Sequence, residues 1–318
     1  MIEARIRDLQ IQPLKGGGPL QLQEVRMTKA GLETVEGDIK DHFLVAVTAE
    51  QDAKGFHNFL TQRIQVDPNK NLFVVGTPQL ALARPESRNG RLVLNFGGQN
   101  EVEDPGENND DPTKLIPVQV WEYRGRAIEV PVLSEWLSDN LQRNVKVART
   151  SGPWNRMARQ NFQVNDNPLR AQDGYPVHAV SWEDAVAIFG ALGAEVDANR
   201  FRYQVLLEGL PFRTIHDYSK VETNGITIYQ PKPCDRCEVT GIDQEKGEFS
   251  RIKPLSGIVK LGGGRWVRPD TGKKVHVVGE NWLPNGETII RNGDIVTFIH
   301  LRDVPLNFET PTQRSTRT

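Results

Sequence analysis

The 318-residue chain holds two cysteines, and they stand together in the run Pro233-Cys234-Asp235-Arg236-Cys237. A thiolate is both a nucleophile and a soft metal ligand, so chemistry is sought here first. Two thiols alone cannot complete a structural zinc site, and a disulfide staple would be unusual in a chain this large. A thioredoxin-type pair opens a helix whose dipole lowers the thiol pKa, whereas the following Glu238-Val239-Thr240-Gly241-Ile242-Asp243 reads as a strand. The thiols are therefore either small residues at a strand end or the place where the chemistry happens. Arg236 beside them favours a thiolate or an anionic ligand.

Other chemistry is thinly represented. His42, His57, His178, His216, His276 and His300 form no His-x-x-x-His pair and none adjoins the cysteines, so they read as structural or solvated. There is no Gly-x-Ser-x-Gly elbow and no Rossmann or Walker loop, and Gly262-Gly263-Gly264 reads as a tight turn. Lys15 precedes Gly16-Gly17-Gly18, where backbone without side chains could approach a phosphate closely. Arg200 and Arg202 would share one face of a strand. Glu101–Asp111 is strongly anionic but lacks the ligand spacing and central glycine of an EF-hand, so it reads as a solvated loop.

The elements that must position these residues are mostly strands. Short, β-branched apolar runs recur at Phe43–Val47, Leu72–Val75, Leu92–Phe96, Val118–Trp121, Ala127–Val130, Val145–Val147, Tyr203–Leu207, Thr227–Tyr229 and Ile295–Ile299, separated by turn residues. This spacing predicts a mostly β, barrel-rich chain with a few helices. Helices are expected at Ala53–Thr61, at Leu133–Leu141 and at Ser181–Leu192, the last with a serine cap and two carboxylates in its first turn. Arg149–Asp173 is polar and aperiodic, which suggests a junction between a domain at 1–150 and another at 151–318, with a polar tail from about residue 307. The net charge of −2 supplies no basic field for nucleic acid. No apolar stretch reaches the roughly 20 residues of a membrane span. The first residues alternate apolar and charged side chains, unlike a signal peptide, so the expected compartment is the cytoplasm.

The run Lys232-Pro233-Cys234-Asp235-Arg236-Cys237, with Thr240, Asp243, Lys246-Gly247 and Lys253-Pro254-Leu255 after it, resembles the signature of MOSC proteins. These take their name from the C-terminal domain of molybdenum-cofactor sulfurases. Ile11-Gln12-Pro13-Leu14-Lys15, Thr28-Lys29-Ala30-Gly31-Leu32, Gly37-Asp38 and Thr61-Gln62-Arg63 are similar to the β-barrel domain that precedes MOSC. Asp173-Gly174-Tyr175-Pro176, Asn199-Arg200-Phe201-Arg202 and Gly286 through Gly293-Asp294-Ile295-Val296 fit the MOSC half. The resemblance covers nearly the whole chain and is greatest to the amidoxime-reducing MOSC proteins.

That resemblance implies a molybdenum cofactor held between an N-terminal MOSC-associated barrel and a MOSC barrel. Cys237 would ligate the metal and carry the catalysis, with Cys234 as support. Lys15 would meet the cofactor phosphate, Arg202 would grip phosphate or pterin, and Asp173, Gly174 and Tyr175 would line the pterin. His42, Gln204 and Asp235 stand at further cofactor-facing positions where this chain departs from the family, which has arginine, asparagine and serine there. Gly16 also replaces a serine, and Leu210-Pro211-Phe212-Arg213-Thr214 departs from the family's acidic-aromatic stretch. Asp235 places negative charge beside the thiolate, which should weaken binding of an anionic cofactor unless Arg236 compensates.

The implied activity is an oxidoreductase that reduces N-hydroxylated small molecules. No cysteine follows Cys237 to build an iron–sulfur cluster, so electrons would come from a separate ferredoxin, flavin or haem protein. MOSC domains are also associated, at family level, with pyridoxal phosphate binding. The alternatives are a non-catalytic carrier of cofactor or of persulfide sulfur on Cys237, or a degenerate MOSC interaction protein. No nucleic-acid or membrane partner is expected.

Overall fold

The computed structural model describes residues 1–60, 63–67, 72–75, 77–121, 123–150, 156–158, 166–262, 265–269 and 271–303. It is mostly β, and its strands close into two rings. The larger ring runs Val177–Ser181, Val205–Glu208, Ile2–Ile11, Ile295–Leu301, Tyr218–Thr223, Ile226–Tyr229 and Lys274–Pro284, then returns to Val177–Ser181. The smaller runs Val145–Arg149, Tyr123–Glu129, Leu115–Val120, His57–Phe59 and Leu44–Gln51, then returns to Val145–Arg149. An odd number of strands cannot close with antiparallel neighbours alone, because directions must alternate around the ring. Each ring therefore contains one parallel pair: Val177–Ser181 with Val205–Glu208 in the larger, and His57–Phe59 with Leu115–Val120 in the smaller.

Parallel neighbours need a crossover, and helix α2 (Trp182–Gly190) provides the one in the larger ring. Its start is fixed as the sequence predicts, with Ser181 Oγ accepting from the Asp184 amide at 3.3 Å. Helix α1 (Pro131–Leu141) buries Leu133, Trp136 and Leu137 against the smaller ring, and helix α3 (Pro254–Lys260) packs on α2. Gly257 permits that packing, since a Cβ there would lie 2.4 Å from the Ile188 carbonyl oxygen.

The first strand does not stay with the residues that follow it. Ile2–Ile11 lies in the larger ring between Val205–Glu208 and Ile295–Leu301, while Leu14–Lys15 pairs in parallel with Leu44–Val45 of the smaller ring. Gln12-Pro13 is thus the crossing point between barrels.

Three expectations need correction. Ala53–Thr61 is not a helix: Asp52 Oδ1 accepts from the Lys54 and Phe56 amides, Gly55 takes φ +79°, and His57–Phe59 enters the smaller ring. An aspartate turn closed by glycine outcompetes a helix nucleus; Thr61 and Gln62 lie outside the described residues. Glu101–Asp111 is not merely a solvated loop, because Asp104 and Asp110 grip the buried Arg149 at 2.6 and 2.8 Å. The segment after Cys237 is a short 3₁₀ turn, Glu238–Gly241, rather than a strand. Of the glycine run 262–264, residues 263 and 264 also fall outside the described residues.

Candidate functional site

A cleft of about 820 Å³, measured to its open mouth, lies along the seam between the barrels. It is lined by Lys15, His42, Asp173, Gly174, Tyr175, Arg202, Gln204, Asp235 and Cys237, so these nine residues singled out in the sequence reach one place. Those residues come from five stretches of chain, and the Gln12-Pro13 crossing is what brings Lys15 and His42 to the seam. The His42 amide donates to the Gln12 carbonyl at 2.8 Å, and the His42 carbonyl accepts from the Ala171 amide at 2.9 Å.

Three cations form the floor. Lys15 is buried, donates to Asp173 Oδ1 at 2.5 Å, and lies 5.1 Å over the Phe59 ring. Burial pushes its pKa down, and Asp173 opposes that shift. Arg202 donates through Nη2 to Gln12 Oε1 and to the Gly17 carbonyl, both at 2.8 Å. Burial, then Arg236 beside it, lower its pKa to about 10. Arg236 donates to Cys234 Sγ at 3.0 Å and to the Phe201 carbonyl at 2.6 Å. Burial disfavours its charge, yet the thiol groups of Cys234 and Cys237 hold its pKa above the usual value.

The two thiols differ. Cys237 is exposed, whereas Cys234 is partly buried and burial pushes its pKa up. Cys234 sits in the strand Pro233–Arg236 and Cys237 continues extended at φ −118° and ψ −176°. Three extended steps separate Cα atoms by roughly 10 Å, beyond the reach of about 7 Å for a disulfide.

Asp235, expected to repel an anion unless Arg236 compensated, is neutralised by other residues. Its Oδ1 pairs with Lys232 at 2.9 Å and its Oδ2 with Arg268 at 3.1 Å. His42 Nδ1 donates to Asp41 Oδ2 at 2.6 Å. Gln204 donates weakly to the same oxygen at 3.3 Å and accepts from the His178 amide at 2.8 Å. His42 and Gln204 are therefore tied to the cleft wall, and the Asp41 carboxylate organises both.

Arg200 does not share a face with Arg202. Ala198–Phe201 is a 3₁₀ turn and Arg202 follows in left-handed backbone at φ +49°, which swings the two side chains apart. Arg200 instead ties down the carbonyls of Thr240 and Ile252 at 2.9 and 3.0 Å. Of the three glycines, Gly16 lines the cleft at φ +89°. Gly17 and Gly18 serve packing, since a Cβ at either would press on the carbonyls of Ala83 and Ala81 at 3.0 and 3.3 Å.

Sequence reasoning missed Gln12, Phe59, Trp121, Gln172, His178, Val239 and Asn281, which also line the cleft. None carries a local signal, and His178 has no second ligand near it in sequence. Gln12 Nε2 and Arg236 Nε are buried in these walls without hydrogen-bond partners among the described residues. In a cleft, groups left in this state are open to a ligand or to water. Burial, with Arg236 adding to it, depresses His178 to about 3. Its Nε2 faces the Val278 carbonyl at 2.9 Å and so carries the proton.

The fold and cleft define a two-barrel β protein with a thiol above a cationic, partly unsatisfied floor. Residues 166–297 match the model of the MOSC domain. The chain is 22% identical over 255 residues to mitochondrial amidoxime-reducing component 1 of Danio rerio, covering 79% of this chain and 72% of that protein. It is 26% identical over 200 residues to molybdenum cofactor sulfurase of Drosophila melanogaster, covering 59% of this chain but only 24% of the sulfurase. Among solved structures, the YUAD protein from Bacillus subtilis aligns with a TM-score of 0.39 at 11% identity, over 93% of this chain and 94% of that one.

Proposed function

We propose that the cleft binds a molybdenum cofactor and that the chain is an oxidoreductase reducing N-hydroxylated compounds with electrons from a separate protein. The observation that carries this reading is the exposed Cys237 thiol in a cleft shared with Lys15, Arg202 and Arg236. The MOSC match and the names of the two curated relatives support it. The residues fit the group: one exposed thiol for the metal, three cations for an anionic cofactor, and the Gln12 Nε2 and Arg236 Nε donors, without hydrogen-bond partners among the described residues, for a polar ring. When bound, the cofactor supplies two-electron reduction of an N–O bond with release of water.

The chain's own residues bind and orient. Lys15 and Arg202 balance negative charge, Asp173 and Gln12 hold those cations in place, and Arg236 sets the electrostatics of both thiols. Lys232 and Arg268 cancel Asp235, so that departure from the family's serine leaves room for an anion. With two cysteines and no cluster-building set, this sequence relies on an external ferredoxin, flavin or haem donor.

The test is expression in a cofactor-competent host, with molybdenum measured by metal analysis and pterin by fluorescence. Stoichiometric molybdenum that is lost in Cys237→Ala and kept in Cys234→Ala is the expected result. Cyanolysable sulfur on Cys237 without molybdenum would make the chain a sulfur carrier, and neither would leave an interaction protein.

A further inference from the structure

Cys237 stands where the sheet lets go of the chain. The strand Pro233–Arg236 pairs with Lys274–Pro284 as far as Arg236, opposite His276, and the ladder ends there, just short of the exposed thiol. A residue past the end of a ladder frays unless something else holds it. Here the chain enters the 3₁₀ turn Glu238–Gly241, and the Cys237 carbonyl accepts twice from Thr240: from its amide at 3.2 Å and from its Oγ1 at 3.0 Å. Thr240 is buried, which shields that hydroxyl from competing water.

Arg200 anchors the threonine. Its buried guanidinium donates through Nε to the Thr240 carbonyl at 2.9 Å and through Nη2 to the Ile252 carbonyl at 3.0 Å, just before α3. Burial disfavours the charge of Arg200, and Asp197 and then Asp243 oppose that. A planar fork can span two carbonyls in this way, whereas a lysine ammonium is a single point. On the other side of Cys237, Arg236 Nη2 reaches the Phe201 carbonyl at 2.6 Å. The turn Ala198–Phe201 therefore exchanges an arginine with the cysteine loop in each direction, gripping it before and after the thiol. That turn is itself rigidly seated, since Phe201 is fully buried with its ring 5.9 Å from that of Phe189 in α2.

We propose that Thr240 and Arg200 are positioning residues: with Arg236, they hold Cys237 in the extended conformation that presents its thiol to the cleft. This rests on the reading that Cys237 carries the chemistry of the cleft, and it goes beyond that reading by assigning the rigidity of the thiol to two residues outside the cleft lining. A ligand or nucleophile works from one fixed place only when its supporting shell is locked.

The test puts a nitroxide spin label on Cys237 in a full-length Cys234→Ser chain, made in a host without the cofactor so that the thiol is open to the reagent. Thr240→Val removes the hydroxyl and keeps the shape. It is expected to raise the mobile component of the label's spectrum about fivefold relative to the immobile one, the equilibrium equivalent of one lost buried hydrogen bond. Thr240→Ser, which keeps the hydroxyl, is expected to match the parent, and Arg200→Lys to mobilise the label as Thr240→Val does. An unchanged spectrum in Thr240→Val or in Arg200→Lys, or a mobilised label in Thr240→Ser, overturns the proposal. The same label at Val132→Cys, an exposed position on α1, in a chain with both native cysteines replaced, should not respond to Thr240→Val; a response there would mean general loosening and would also overturn it. If Thr240→Val does not fold, Thr240→Ala is read in its place. Molybdenum in the unlabelled parent is measured separately, and its absence counts against the reductase reading alone, because the label reports the hold on Cys237 either way.

Discussion

At the scale of single residues, the cleft shows how little sequence neighbours say about electrostatic partners. Asp235 lies between two cysteines and next to Arg236, yet its charge is met by Lys232 and Arg268. Arg236 turns instead to Cys234 and the Phe201 carbonyl. The residue types at Lys15, Arg202 and Cys237 were legible because each sits in a recognisable run. His178 was not, since its role depends on burial and on strands far away in sequence. It yields a pH prediction. Below its ordinary pKa of 6.5, the unfolded chain takes up a proton that folded His178 refuses until about pH 3. Stability therefore falls as pH drops through that window, by up to about 1.4 kcal/mol per pH unit from this residue. In His178→Gln, denaturant titrations at pH 7 and pH 4.5 should show a smaller difference in stability than in the parent chain.

At the scale of elements, local pattern located strands and capped helices but not segments whose structure comes from distant charge. The α2 cap was readable because Ser181, Glu183 and Asp184 are contiguous. Leu72–Val75 was placed residue for residue from its β-branched run. The anionic stretch 101–111 reads as solvated loop in the sequence, since its counterion, Arg149, lies some 40 residues on and is fully buried. Arg149 Nη1 and Nη2 meet both oxygens of Asp104, while Nε meets Asp110. Removing Asp104 leaves two guanidinium nitrogens buried without it while Asp110 still holds Nε, so Asp104→Ala should cost about 2–3 kcal/mol. Denaturant unfolding of the variant at neutral pH checks this, and a loss below about 1 kcal/mol would mean that the pair behaves like an exposed one.

At the scale of the whole molecule, the mostly β character was legible and the wiring of the rings was not. Alternation in Ile2–Ile11 marks a strand, but nothing in it says that the strand joins Val205–Glu208 and Ile295–Leu301. Partner choice is decided by closure, which needs the last described strand as well as the first. A fragment spanning 166–303 contains the matched MOSC stretch but lacks Ile2–Ile11, and so should show no cooperative thermal transition by circular dichroism. A sharp transition in that fragment would show that the ring closes without the missing strand.

The same wiring sets a timetable for folding. Ile2–Ile11 pairs with a strand about 290 residues further along, and contacts of such separation are slow to form because the loop entropy is lost before they reward it. During synthesis the strand waits with an unsatisfied edge while the smaller barrel can already close behind it. The cleft, which needs both barrels, is then among the last parts of the molecule to exist. A nascent chain would be unable to hold a ligand at the seam until translation has passed the strand Ile295–Leu301.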